Sequence, residues 1–284
     1  LQSNHQIKLI EKNIENKIKK ELEELLHDER EKYEEFYKAF GMQFKHGIYS
    51  SYGTNRDKLE DLLLFYSSKD EKYTSLSEYV SRMKEDQKEI YYASGDSINN
   101  IKMIPQVEMV LDKGYEVLYL TEYLDEFVVK ILNTYKDKTF KNVCDNEVDT
   151  LSEEEKEVIM KLNEDNKDML EAVKNSLKDH VEEVKFTNKD HPVCLTSVGE
   201  LSTSMEKIIN SMPSEEGNVH AKTILEINDN HEISKKLKEL YKEGKSDDID
   251  KYSKILYNQA RLISGLPVEN PQELTDMICD VLSK

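Results

Sequence analysis

A mixed α+β/α/β architecture is the fold class this sequence predicts, and three observations predict it. Long stretches repeat apolar residues every three or four positions, short β-rich runs alternate with such stretches near the middle, and the chain closes on two apolar-faced helical segments. The 284 residues include 37% hydrophobic and 35% charged residues, enough apolar side chains at regular spacing for a globular chain. The predicted order is a helical segment, a small βαβ unit, and an α+β region ending in two helices.

Ile7, Ile10, Ile14 and Ile18, then Leu22, Leu25 and Leu26, recur at helical steps with Lys and Glu between them. Tyr33, Phe36, Tyr37 and Phe40 continue the pattern, and Gly41 reads as a helix stop. Residues 47–57 read as a loop, and Leu59 to Tyr66 as a short apolar helix. Ser75-Leu76-Ser77-Glu78 is an N-cap signature for a further helix. Glu89–Ala93 and Tyr115–Leu120 read as strands flanking a helix over 97–113, interrupted at Pro105 and closed by Gly114. Asp125–Leu132 then returns to helix, completing a βαβ grammar for a small parallel sheet.

Beyond the Asp145-Asn146-Glu147 turn, Ser152-Glu-Glu-Glu-Lys opens a helical run through Leu170, Val173 and Leu177. Val184–Thr187 and Val193–Thr196 look like paired strands, with Ile224–Asn228 a third. Ile249 to Leu262 and Pro271 to Leu282 form the closing helices, separated by Gly265 and Pro267. A domain boundary near 148 gives two regions, 1–148 (helices over 5–66, α/β unit over 74–142) and 149–284.

Forty basic and 58 acidic residues give a net charge of −18, which argues against binding nucleic acid through phosphate neutralisation. No apolar run approaches the length that spans a bilayer, and the start has no signal-peptide pattern. Cys144, Cys194 and Cys279 are odd in number and widely spaced, which suits a reducing, cytoplasmic setting better than a disulfide framework. The glycines form neither Gly-x-Gly-x-x-Gly nor a Walker loop, no His-Glu-x-x-His occurs, and Ser94-Gly95-Asp96-Ser97 lacks the nucleophile-elbow pattern. No catalytic residue, metal site or resident cofactor is therefore expected. Since the first residue is Leu1, the chain is expected to be an excised fragment or a processed product.

Two features could carry function. Leu201, Met205, Ile208, Ile209 and Met212 fall on one helical face, bounded by Gly199 and Pro213. Either that stripe packs on the local core, or it is a mobile amphipathic helix whose methionines adapt to varied apolar partners. The closing pair of helices poses the same choice. It folds back onto the preceding sheet or meets a second copy in an intermolecular four-helix arrangement.

Several stretches taken together resemble the heat-shock protein 90 chaperone family, in its bacterial branch. They are Tyr33-Glu-Glu-Phe-Tyr-Lys-Ala-Phe-Gly41, Leu76-Ser-Glu-Tyr-Val-Ser-Arg-Met-Lys84 and Gln87-Lys-Glu-Ile-Tyr-Tyr-Ala-Ser-Gly-Asp-Ser97. Gly114-Tyr-Glu-Val-Leu-Tyr-Leu120, Asp125-Glu126, Ser204-Met205-Glu206-Lys207-Ile208 and Leu225-Glu-Ile-Asn228 follow in the family's order. The resemblance implies part of a middle domain followed by a C-terminal dimerisation domain, without the ATP-binding domain. It also implies that the arginine presented to the ATP γ-phosphate, in a Ser-Arg-x-x-Leu-Gln motif, lies just before Leu1-Gln2. ATP and Mg would then act in the full-length protein, and this chain alone would not be an enzyme. The ending Val281-Leu-Ser-Lys284 lacks the acidic tail of cytosolic eukaryotic members, consistent with a bacterial source, and the resemblance itself implies a stress-response, protein-folding role.

By the same resemblance, Leu201, Met205, Ile208, Ile209 and Met212 match a helix that holds unfolded client protein. Glu126 and Phe127 match a second client surface, where bacterial relatives often carry Trp in place of Phe127. Ile255, Leu256, Leu262, Leu274, Ile278 and Leu282 match helices of the homodimer. The expected function is a chaperone fragment that dimerises and binds partly unfolded proteins, with no nucleic-acid or membrane partner. The rival reading is an acidic helical scaffold or dimerisation module docking one fixed partner.

Overall fold

A computed structural model describes residues 5–145, 152–188, 191–213 and 218–283. Helix and sheet are mixed, as the fold class requires, and the chain divides into two compact units. One unit comprises residues 1–94 and 115–141; the other comprises 95–114 and 142–284.

The first unit opens with two long helices, α1 (His5–Asp28) and α2 (Arg30–Ser50). The leading half of α1 leaves Ile7, Ile10, Ile14 and Ile18 exposed, while Leu22, Leu25 and buried Leu26 pack around Tyr33, Tyr37, Leu62 and Leu64. Gly41 does not stop α2. The Tyr37 ring, one turn earlier, lies where a side chain on residue 41 would go, 2.6 Å from an ideal Cβ. Glycine here makes room for an aromatic, and the helix runs on nine residues into the stretch read as a loop. After α3 (Arg56–Leu59) comes a 3-10 turn over Glu60–Leu62 and then β1 (Leu64–Ser67), so the apolar helix expected over 59–66 is helical only as far as Leu62 and turns to strand from Leu64. Leu62, Leu63, Leu64 and Phe65 are all buried, and an uninterrupted apolar run has no period that separates strand from helix.

β2 (Tyr73–Ser75) leads into α4 (Leu76–Arg82) through a complete capping box. The Glu78 N–H donates to Ser75 Oγ, while the Ser75 N–H donates to the Glu78 carboxylate. Arg30 joins this corner to α2, donating to Glu34, Glu78 and the Tyr73 carbonyl at 2.8 Å each. β3 (Glu89–Ser94) and β4 (Val117–Leu120) are parallel neighbours, joined by α5 (Ile98–Lys102) and α6 (Pro105–Asp112), with Pro105 in the first turn of α6. The expected βαβ unit is therefore present, but inside a mixed sheet rather than a parallel one. α7 (Asp125–Leu132) is followed by β5 (Thr134–Tyr135) and β6 (Lys138–Asn142), and the strand order is β2-β1-β4-β3-β6-β5. β1 pairs antiparallel with both β2 and β4.

The second unit is built on α8 (Glu153–Asp165), α9 (Lys167–Leu177), β7 (Glu183–Thr187), β8 (Val193–Val198), α10 (Thr203–Ser211) and β9 (Lys222–Asn228). α11 (Glu232–Lys242), α12 (Ser246–Ile263) and α13 (Pro271–Leu282) complete it. β7 and β8 do not pair with one another. β9 lies between them, parallel to β7 and antiparallel to β8. Its last six residues are all buried, as a central strand covered on both faces demands. Against the sheet pack Leu170 and Val173 of α9, Leu237 and Leu240 of α11, and Leu256, Tyr257 and Ala260 of α12.

Candidate functional site

α10 is formed by an N-cap, a short polar turn and an apolar stripe. The Ser202 hydroxyl accepts the Met205 N–H at 3.0 Å, and Met212, extended before Pro213, ends the helix. Leu201 precedes the first turn. Leu201, Met205, Ile208 and Ile209 are half-buried and Met212 is exposed. The stripe is thus neither sunk in the core nor fully presented to water.

Polar side chains of the same helix are firmly tied. Glu206, 6% exposed, accepts the Ala221 N–H at 2.8 Å, and His220 Nδ1 stands 3.6 Å from its other oxygen. Asn210 bonds the Val219 backbone in both directions, donating to its carbonyl and accepting its N–H, each at 2.8 Å. Lys207 forms an ion pair with Asp96 and donates to the Gly265 carbonyl at 3.2 Å. None of these three residues follows from apolar periodicity. In the apolar pattern they show only as interruptions of the stripe, although Glu206 and Lys207 fall within the stretch Ser204-Met205-Glu206-Lys207-Ile208.

Glu126 and Phe127 sit in the first turn of α7, in the other unit. Glu126 is 2% exposed, so its carboxylate faces protein rather than solvent; Phe127 is half-buried and meets the exposed Tyr49 ring edge-on at 5.8 Å between centroids. Beneath α7, Lys45 of α2 is 2% exposed and pairs with Asp125 at 2.5 Å and Glu122 at 2.6 Å. Burial would lower the lysine's pKa. Asp125, the Tyr37 phenol and Glu122 outweigh that and raise it, so Lys45 is held charged.

The six residues of the closing helices divide by burial. Leu256 belongs to the second unit's core, and Ile255 and Leu274 are also buried. Leu262 and Leu282 are exposed, at 56% and 81%, and Ile278 is half-buried. Lys251 of α12 donates to Asp280 of α13 at 2.7 Å, pinning the two helices together. Among the described residues, no group of three His, Cys, Asp or Glu side chains is placed to hold a metal ion. None of the described helices is long and apolar enough to cross a membrane.

The mixed fold carries two unevenly covered apolar helical surfaces, one along α10 and one along α12 and α13. The Hsp90 protein family model matches residues 1–284, and the chain belongs to that family. It is 50% identical over 284 residues to the chaperone protein HtpG of Bacillus subtilis, and 49% identical to that of Halalkalibacterium halodurans. HtpG of Clostridium perfringens is 50% identical over 282 residues. These alignments cover 99–100% of this chain but 45% of each relative, so the chain spans about half the length of the curated relatives it matches.

Proposed function

We propose that this chain is the client-holding and dimer-forming part of a molecular chaperone. The observation that carries the reading is the amphipathic character of α10. Its polar residues are anchored while Leu201, Met205, Ile208, Ile209 and Met212 remain partly accessible. Such a stripe offers apolar area without a fixed shape, and its methionines repack around different partners. Phe127, with Tyr49 beside it, supplies a second, smaller apolar contact. The net charge of −18 keeps the bound complexes soluble and favours basic clients.

In this reading the chain dimerises through the outward residues of α12 and α13, and nucleotide turnover belongs to parts of the longer protein that it does not cover. ATP and Mg enter no step carried by these residues. The reading also places the protein in the cytoplasm, acting on partly unfolded chains.

The test is suppression of aggregation of a thermally unfolding protein. The expected result is protection by the parent chain and its loss in a Leu201→Ser, Met205→Ser, Ile209→Ser variant whose far-UV circular dichroism is unchanged. Equal protection by a folded variant would remove α10 from the client site.

A further inference from the structure

The chain leaves the sheet at Val198 and returns at Lys222, directly paired partners in the β8–β9 ladder, and the described part of the excursion is residues 199–213 and 218–221. This excursion is braced internally. Glu206 holds the Ala221 N–H and Asn210 clasps Val219, so α10 and residues 218–221 form one flap. Between flap and body lies a cavity of about 740 Å³, with Glu206, Lys207 and Asn210 on one side and His180, Tyr257 and Arg261 on the other. Part of the flap therefore stands over open volume instead of packed side chains. Packing that is incomplete leaves polar contacts a larger share of the docking energy.

Lys207 supplies two such contacts, and both reach outside the flap. Its ammonium pairs with Asp96, just before α5, and donates to the carbonyl of Gly265 in the turn between α12 and α13. Gly265 has a left-handed backbone (φ 72°), the usual helix-ending geometry: its N–H and that of Leu266 donate to the Leu262 and Arg261 carbonyls at 3.1 and 2.9 Å, and its own carbonyl, beyond the helix, accepts the lysine. The lysine thus fastens the flap at two points, one of which is the turn into the last helix.

We propose that Lys207 is a positioning residue: a latch that holds α10 docked, with its apolar stripe half-covered, in the low-affinity state of the client site. This rests on the client-holding reading of α10 given above. A client that needs the whole stripe binds the undocked state, so its apparent affinity is reduced by the fraction of molecules undocked. Side chains at the latch are partly exposed (Lys207 38%, Asp96 61%), so the ion pair is of the modest, salt-screened kind. Its loss should shift the docking equilibrium by roughly two- to five-fold.

The experiment uses the 284-residue chain and the variants Lys207→Met and Asp96→Asn, which change net charge in opposite directions. Amide hydrogen exchange is followed in 203–211, with β9 as the internal reference for intact folding. Binding is measured to reduced, carboxamidomethylated lysozyme, a permanently unfolded basic chain. Expected is faster exchange in α10, tighter binding by a similar factor in both variants, and unchanged protection of β9. In the parent, α10 exchange should also rise with ionic strength, and this dependence should flatten in both variants.

Unchanged α10 exchange in both variants overturns the latch. Faster exchange with equal or weaker binding overturns the gate, because docked α10 would then be the competent form. A gain confined to Lys207→Met, the variant made more acidic, would assign the effect to net charge and overturn the proposal as well. Absence of probe binding by the parent and both variants overturns the client reading and the gate with it. The exchange data distinguish that failure from failure of the latch itself.

Discussion

Lys45 is a buried lysine whose two carboxylate partners come from the turn before α7 and from its first residue, and it also lies 5.4 Å from the centroid of the Phe65 ring. Removing one member of such a pair strands the other in a low-dielectric site, which typically costs about 3–5 kcal/mol. Lys45→Met is expected to destabilise the first unit by that amount in urea unfolding. Lys45→Met combined with Asp125→Asn should recover most of the loss, since neither member of that pair is then left buried with an uncompensated charge. At this scale the sequence is least informative. Asp125-Glu126 is conspicuous as an acidic pair, but nothing in it says that both side chains point inward, or that the cation of Asp125 lies 80 residues earlier at Lys45. Lys207, Glu206 and Asn210 are equally silent, because side chains that bind backbone across a fold leave no period.

Among the elements, α4 has the most explicit local instructions, since Ser75 and Glu78 cap it reciprocally. Ser75→Ala is expected to cost about 1 kcal/mol, read from thermal or urea unfolding. Burial acts to raise the Glu78 pKa, yet the Ser75 N–H and the Arg30 guanidinium outweigh it and hold the carboxyl below its ordinary value. A lowered folded-state pKa gives stability that is present above the unfolded value of about 4.3 and is lost as pH falls through the lower folded value. Glu78 is 42% exposed, so solvent screening keeps the effect to about half a kcal/mol. Glu78→Gln should accordingly flatten the acid limb of a stability–pH curve by that amount and leave the slope above pH 6 unchanged.

Helices with caps and a clear stripe are legible in the same way. α7, α12 and α13 fall within a few residues of their expected bounds, whereas the single run expected from Ser152 through Leu177 is two helices, α8 and α9, divided at Asn166. β1, β2 and β5 escape because two to four residues cannot display an alternation. β7 and β8 are read correctly as strands but given the wrong neighbour, because pairing is decided by the arrival of β9 between them.

For the whole molecule, the unresolved choice at the sequence level was whether the terminal helices cover themselves. They do so in part. Leu256 and Leu274 turn inward, while Leu262 and Leu282 remain in solvent. Exposed leucines contribute little to the stability of one protomer and much to an interface that buries them. Leu262→Ser, Ile278→Ser and Leu282→Ser together are expected to turn a dimer into a monomer in sedimentation at micromolar concentration, with a smaller change in the urea midpoint than Leu256→Ser alone produces. A parent chain that sediments as a monomer would refute the dimer outright. The family was legible because its motifs are spread along the whole chain, whereas the surfaces that would do its work depend on which side of a helix meets water.

Val198 and Lys222 face one another across adjacent antiparallel strands, so everything between them begins and ends at nearly the same place. An excursion closed in this way can be exchanged, lengthened or replaced by a tight hairpin turn while the ladder keeps its register. The segment that carries the apolar stripe is therefore a cassette. Natural variation, or a protein engineer, could rewrite what the molecule grips without renegotiating the sheet that carries it.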